Sequence, residues 1–237
     1  GCWGVEVFRE GEKRRRAWQE QLYVGPSVYA QCGGWTFDKD RTRQRLNGDT
    51  CAALGKGGKQ ADRAGTRARA RQDRCAHCGS RLADMLVLDG REERLRFLGL
   101  DGIFTATCCP NYVGFTETTY SRFTPDGGSS MLPCTLQVDG IKNYLGEDGL
   151  QEMAANTYVL GKQPVPVFYG VSSDGLHTVG GFPGWVQDWQ YPPCPDCGKP
   201  MRYLAQIQWS LITDMEGMLY IGVCADCQIA SMHHQQT

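Results

Sequence analysis

The sequence predicts a mostly β protein of the α+β class, built from two pseudo-repeated β units with zinc-ribbon-like knuckles and few short helices. Three observations lead to this prediction. Short runs rich in aromatic and β-branched residues alternate with clusters of Gly, Pro, Asp and Asn, which is typical of strands joined by turns. The same order of motifs occurs twice along the chain. Helical patterns are limited to 11–22 and 146–156.

Strands are predicted wherever a short apolar or alternating run lies between turn residues. The predicted strands are 84–89, 103–108, 114–123, 165–171, 202–209 and 218–223. The most regular alternation is in "GFTETTYSRF", where threonine alternates with apolar or aromatic residues. This stretch is therefore expected to be a half-buried strand.

The internal repeat gives the domain organisation. Each half contains a Gly-Gly-aromatic motif, then a Cys-x-x-Cys-Gly knuckle, then an apolar run, then a second knuckle. The motifs of the first half are "CGGWTFD", "CAHCG" and "CCPNY", and those of the second are "VGGFPGW", "CPDCG" and "CADC". Because a repeated supersecondary unit determines the architecture, we expect one β repeat at 1–145 and another at 146–237, packed as one compact unit.

A basic stretch at 41–74 interrupts the first repeat. It carries ten Lys or Arg against three Asp or Glu, in a chain whose net charge is −1. It lacks aromatic residues and is rich in Gly, Ala and Arg, so we expect a flexible insertion that cannot fold alone. Two interpretations stay open: a merely solvated insertion, or an arm that docks on nucleic acid or an acidic protein through Arg67, Arg69 and Arg71.

Four cysteines of the second repeat have the spacing of a metal site. Cys194 and Cys197 form one knuckle, and Cys224 and Cys227 form another. Two thiolates three residues apart can bind one ion from a tight turn, and two such turns complete a four-sulfur site of the kind that binds structural Zn²⁺. Four reduced thiols without metal, or a redox pair, are the alternatives, and no βαβ pattern supports the redox pair. The sequence therefore predicts one zinc ion here.

The first repeat predicts a second, less complete zinc site. Cys75 and Cys78 form a knuckle, but the partner of Cys109 is missing because position 112 is Tyr. The fourth ligand is then Cys108, Cys134 or His77. Neighbours on a strand point to opposite faces, which is unfavourable for Cys108. The alternative is a decayed site that is held by packing alone.

Neither catalysis nor a membrane location is predicted. His233 and His234 are expected in an exposed polar tail, and the order of residues gives no Ser-His-Asp or Cys-His arrangement. No apolar run is long enough to span a membrane, and the first residues have no apolar signal core. Paired cysteines together with this pattern favour a reducing, intracellular compartment, the cytoplasm or an organelle.

The stretches "VGGFPGWVQDWQYPPCPDCGKPMRYLAQIQW" and "GMLYIGVCADCQIASMHHQQT" resemble the YwqG-like family of bacterial proteins, whose plan is related to that of programmed cell death protein two. The resemblance covers about 22–40 and 75–237, and Thr36 and Tyr112 depart from its Pro and Cys positions. It implies a doubled β fold. It also implies an adaptor or chaperone role, as in the eukaryotic relatives, or an immunity-type role against a secreted toxin.

The functional prediction is a non-catalytic, zinc-binding protein-interaction module of the adaptor or chaperone kind, with a protein as its partner. One alternative is a component of a ribonucleoprotein or another large assembly, which docks through the basic arm. A second is the immunity-type protein. A third is a hydrolase or transferase with a site between the halves.

Overall fold

The computed structural model describes residues 35–37, 43–45, 50–57, 69–114, 118–134, 145–155, 157–160, 165–166, 177–180, 183–187, 190–209 and 216–236. These residues form a mostly β protein with few short helices, which confirms the predicted fold class. The helix that the sequence predicts at 11–22 lies outside the described residues.

The order of elements follows the predicted strands closely over 84–89, 103–108, 202–209 and 218–223. The strands are β1 Trp35–Phe37, β2 Arg43–Arg45, β3 Thr50–Gly57, β4 Arg69–Arg74, β5 Arg81–Asp89, β6 Ile103–Cys108, β7 Thr119–Phe123, β8 Ser129–Met131, β9 Thr157–Leu160, β10 Val165–Pro166, β11 Thr178–Val179, β12 Arg202–Gln208, β13 Met218–Cys224 and β14 Ile229–Gln235. The helices are α1 Pro110–Val113, α2 Gly146–Ala155 and a 3-10 helix at Glu93–Leu98. Helix α2 lies where the sequence predicts it.

In the described part of the chain, the strands pair antiparallel in three sheets. β1 pairs with β2, and β4, β5 and β6 form a three-stranded sheet. The large sheet has the order β10-β3-β11-β12-β13-β14-β7-β8, and β9 also pairs with β3. Strand β7 of the first predicted half therefore pairs with β14 of the second, and β3 pairs with β11.

One apolar core is shared by the two larger sheets. It contains Leu86 and Phe104 from the three-stranded sheet and Leu204, Ile221 and Met232 from the large sheet, all buried in one cluster. Alternate side chains of β13 point the other way, as strand geometry requires. Met218 and Tyr220 belong to a separate buried cluster on the opposite face of the large sheet.

The two knuckle-strand units share local geometry. Strand β5 begins six residues after Cys75, and β12 begins eight residues after Cys194. The register of each hairpin shifts at the same distance from its first cysteine, between Asp84 and Leu86 in β5 and between Tyr203 and Ala205 in β12. These correspondences favour the prediction that the two halves are repeats of one unit, which stays a prediction.

Strands β2, β3 and β4 lie within the stretch 41–74, for which the sequence predicts a flexible insertion. Strand β3 pairs with β9, β10 and β11, which are a hundred or more residues away in the sequence. The hydrogen bonds that such distant strands supply cannot be read from the local composition.

Candidate metal centre

The knuckle at Cys194 is a tight turn closed by its own backbone. The N–H of Cys194 donates to the carbonyl of Lys199, and the N–H of Gly198 donates to the carbonyl of Cys194, both at 2.8 Å. Gly198 has φ +72°, a left-handed conformation that glycine adopts without steric cost. The glycine that follows the second cysteine thus permits the turn.

The second knuckle joins β13 to β14. Cys224 ends β13, residues 225–228 form a turn, and Gln228 has φ +56°. The carbonyl of Gln228 accepts a hydrogen bond of 2.9 Å from the N–H of Phe123. The knuckle is therefore also attached to β7.

The four sulfurs converge with the geometry of a metal site. The Sγ atoms of Cys194, Cys197, Cys224 and Cys227 all lie within 4.8 Å of one another. Those of Cys197 and Cys224 are 3.8 Å apart. A tetrahedral ion with bonds of about 2.3 Å to sulfur places its ligands about 3.8 Å apart. This group can hold a metal ion, and the thiolate donor set fits zinc.

Backbone donors and shared protons shift the pKa values of these thiols. The hydrogen bond from the backbone N–H of Lys199 is the main cause that lowers the pKa of Cys197. The hydrogen bond that Cys227 makes to Cys197 raises the pKa of Cys227. In such a cluster one sulfur is stabilised as a thiolate while its neighbour keeps a proton, and a bound cation would replace these protons.

Arg122 of β7 reaches across to this group from the first predicted half. Its guanidinium donates to the carboxylate of Asp196 at 2.9 Å and to the carbonyl of Cys227 at 3.2 Å. Asp196 lies inside the first knuckle, so Arg122 connects both knuckles. Tyr120, on the same strand, packs against the cluster of Cys194, Met201 and Ile229.

The first-half knuckle repeats this backbone geometry. The N–H of Cys75 donates to the carbonyl of Ser80 at 2.8 Å, and that of Gly79 to the carbonyl of Cys75 at 2.9 Å. Gly79 also has φ +72°. The Sγ atoms of Cys75, Cys78 and Cys109 lie within 4.8 Å of one another. These three thiols can also hold a metal ion.

The hydrogen bond from the Cys109 thiol is the main cause that lowers the pKa of Cys75, to about 5. The same bond and burial raise the pKa of Cys109. The backbone N–H groups of His77 and Cys78 add to the lowering at Cys75. One thiolate is therefore stabilised in each group, mainly by a neighbouring thiol at Cys75 and mainly by a backbone N–H at Cys197.

The candidate fourth ligands of this group lie outside it. Cys108 is fully buried in the main core, whereas Cys109 belongs to the cluster that contains Cys75, so this placement weighs against Cys108 as the fourth ligand. The ring of His77 lies against that of Tyr112, with centroids 4.6 Å apart. Cys134 packs against the cluster that contains Cys75 and Cys109.

The C-terminal histidines do not form the exposed tail that the sequence suggests. Both lie on β14, where strand alternation separates them: His233 is buried with 2% exposure, while His234 is intermediate. The ring of His233 stacks on Trp185 and Tyr220, with centroids 5.8 and 5.3 Å apart. The prediction failed because a short polar run at a chain end resembles a tail when its pairing with β13 is unknown.

Residues 183–187 form a loop, the covering loop, that side chains of the large sheet hold in place. Sequence reasoning missed these side chains. Gln206 accepts from the N–H of Gly184 at 2.7 Å, and Gln235 accepts from the N–H of Gln187 at 3.1 Å. The hydroxyl of Tyr220 accepts from the N–H of Val186 at 3.0 Å and donates to the carbonyl of Gly184 at 2.5 Å. A signal existed, because glutamines inside otherwise apolar strands indicate a specific polar partner.

The structure describes the three arginines proposed for docking to different extents. Arg67 lies outside the described residues, and Arg69 is described only as part of the β4 backbone. Arg71 forms ion pairs with Asp73 at 2.9 Å and with Asp84 at 3.0 Å. Its guanidinium is thus occupied within the chain. Among the described residues, no helix is long and apolar enough to cross a membrane.

Comparison with known proteins gives one distant relative. The chain is 27% identical over 243 residues to a protein of Salmonella typhimurium named uncharacterized protein YpfL. The match covers 98% of this chain and 55% of the relative, so the chain spans about half the length of the relative that it matches. No family model matches the chain, and no solved structure matches it.

Proposed function

We propose that the chain is a non-catalytic, zinc-binding protein-interaction module of the adaptor or chaperone type. The observation that carries the proposal is the closed group of four thiols at Cys194, Cys197, Cys224 and Cys227. Four thiolates fill the coordination of a tetrahedral zinc ion and leave no position for a substrate or an activated water. The ion would then serve to hold β12, β13 and β7 together, and the folded surface would serve a partner.

The state of the cysteines supports a reducing compartment for this module. All nine cysteines in the described part of the chain are free thiols. Thiolate ligands persist where glutathione and thioredoxin keep cysteines reduced.

The alternative of a ribonucleoprotein component would depend on the stretch 41–74. The pairing of Arg71 with Asp73 and Asp84 weighs against it, since a guanidinium that already has two carboxylate partners has less to gain from phosphate. Arg67 and Arg69 would then carry the contact. The immunity-type role is the other alternative, and its partner would be a secreted toxin.

The test is affinity purification of the full chain from its own cells, followed by mass spectrometry and by binding measurements with each purified candidate. The proposal expects a protein partner that binds the zinc-loaded chain at a defined stoichiometry. A high ratio of absorbance at 260 to 280 nm that falls in high salt would instead indicate RNA. A zinc-free chain that keeps its melting temperature and its partner would overturn the structural role of zinc.

A further inference from the structure

We propose that Cys134 supplies the fourth thiolate of the first-half metal site and that Tyr112 holds it in position. The inference rests on the proposed zinc-binding function. Cys75, Cys78 and Cys109 already converge, with the Sγ atoms of Cys78 and Cys109 only 3.4 Å apart. Three thiolates leave one vertex of a tetrahedral site open, and a closed structural site needs a fourth protein donor from outside the two knuckles.

Two of the three nearby donors are excluded by where they point. Cys108 is buried in the main core with 0% exposure, and its pairing with Ala83 fixes it on the opposite side of the strand from Cys109. His77 lies between the two knuckle cysteines, and its ring is packed on the ring of Tyr112. Neither can reach the open vertex without breaking a buried contact.

Cys134 is already beside the site. It packs, half-buried, against the apolar cluster formed by Cys75, Leu82, Cys109 and Tyr112. The segment that carries it is anchored two residues earlier, where the N–H of Leu132 donates to the carbonyl of Tyr120 at 2.8 Å. Cys134 follows this anchor by two residues, so its backbone is held close to the cluster.

Tyr112 explains how the site tolerates the loss of its fourth knuckle cysteine. Residue 112 is where the second cysteine of the Cys109 knuckle would lie. The tyrosine there extends further than a cysteine, and its hydroxyl donates a hydrogen bond to the sulfur of Cys134. When zinc binds, the S–H proton of Cys134 passes to solvent and a sulfur–zinc bond forms, while the Tyr112 hydroxyl continues to donate to the thiolate. A hydrogen bond of this kind orients a ligand and strengthens its metal bond.

The test measures zinc in the full chain and the reactivity of Cys134. The chain is loaded with zinc alone under reducing conditions, and zinc per chain and chelator competition are measured. We expect two zinc ions. Iodoacetamide followed by peptide mass mapping should modify Cys134 in the metal-free chain and not in the zinc-loaded one.

Three variants distinguish the ligand Cys134, the orienting residue Tyr112 and the non-ligand Cys108. Cys134→Ser should weaken the second zinc by more than the about 10–100-fold that losing a partner of a ligand costs, and should leave the zinc at Cys194 unchanged. Tyr112→Phe should weaken the second zinc by about 10–100-fold. Cys108→Ala, the matched control, should change neither zinc.

The inference is overturned if the wild-type chain binds only the Cys194 zinc, if Cys134 stays reactive when two ions are bound, or if Cys134→Ser binds the second zinc as tightly as wild type. These results leave the proposed function intact. Failure of the proposed function has a different signature, in which Cys194, Cys197, Cys224 and Cys227 all stay reactive after zinc is added. The alkylation result uses the wild-type chain, so a variant that fails to fold does not decide the question.

Discussion

Arg71 is the partner of a carboxylate that has no access to solvent. Asp84 is 0% exposed, accepts a hydrogen bond of 2.7 Å from the hydroxyl of Thr107, and lies 3.0 Å from the guanidinium of Arg71. A buried charge that loses its partner costs about 3–5 kcal/mol. Arg71 is 19% exposed, so the lower end of this range applies.

We therefore predict that Arg71→Ala lowers the free energy of unfolding by about 3 kcal/mol, measured by urea denaturation. The control is Arg91→Ala. Arg91 pairs with Asp89 at 2.7 Å, but it is 68% exposed, and little change is expected because exposed pairs contribute little. Equal stability of the two variants would show that Asp84 does not depend on Arg71. It also follows that a variant at Arg71 cannot serve as a neutral probe of docking.

The lowered pKa of His233 makes the stability of the fold depend on pH. Burial, followed by the nearby His234, lowers the pKa of His233 to about 4, against about 6.5 in an unfolded chain. Between these values the unfolded chain binds a proton that the folded chain does not. The contribution of His233 is thus fully present above pH 6.5 and is lost as the pH falls towards 4, at about 1.4 kcal/mol per pH unit.

The variant His233→Phe should keep the stacking on Trp185 and Tyr220 and should remove this loss. Both ring nitrogens of His233 lack a hydrogen-bond partner among the described residues, so the substitution leaves no described group unpaired. Unfolding free energies of the two proteins should be similar at pH 7.5 and should diverge below pH 6, in favour of the variant. Zinc content must be measured at each pH, because thiolate sites also lose metal in acid. Parallel pH profiles would contradict the prediction.

At the scale of elements, the covering loop is fixed to the large sheet by side chains instead of by strand pairing. Tyr220 contributes two of these hydrogen bonds and is 1% exposed. Tyr220→Phe leaves the part-buried N–H of Val186 and the carbonyl of Gly184 without this partner, which costs about 1 kcal/mol, the lower end of the range for an unsatisfied group. We expect faster amide hydrogen exchange in 183–187 together with this loss of stability.

Val186→Ala is the matched control. Val186 lies in the same loop and is 36% exposed, and the substitution keeps its N–H, which donates to the hydroxyl of Tyr220. Its exchange pattern should equal that of wild type. If both variants exchange at the wild-type rate, the loop is held by the packing of Trp185 and not by Tyr220.

Sequence reasoning predicted the elements whose signal is local. A knuckle is specified by two cysteines and a glycine within five residues, and β5, β6, β12 and β13 are apolar enough to be recognised alone. Strand β3, "TCAALGKG", has no such signal, because it is defined by distant partners. The same holds for β14, whose His233 and Gln235 face a loop that is far away in the sequence. The register of these strands depends on packing that a linear pattern does not contain.

At the scale of the whole molecule, the four-cysteine group joins the predicted halves. Arg122 and the N–H of Phe123 attach β7 to its second knuckle. If a metal ion is bound here, its loss should therefore unfold the chain on both sides of residue 145, and not only the C-terminal half.

We predict that Cys194→Ser together with Cys224→Ser removes one zinc per chain and abolishes the cooperative thermal transition. Structural zinc contributes about 10–16 kcal/mol in small zinc-binding domains, as much as the whole stability of a typical protein, about 5–15 kcal/mol. Amide exchange should rise in β5 and β6 as well as in β12 and β13. Protection that survives in β5 and β6 would mean that the first half folds without the second.

The pairing of β7 with β14 has a consequence for synthesis on the ribosome. β7 ends at Phe123 and its neighbour begins at Ile229. At about 5–20 residues per second, translation takes roughly 5–20 s to cover this interval. Throughout that time one edge of β7 has no neighbour, and an open edge recruits other chains. The nascent chain thus depends on whatever shields this edge until β14 emerges, and a slower ribosome prolongs that dependence.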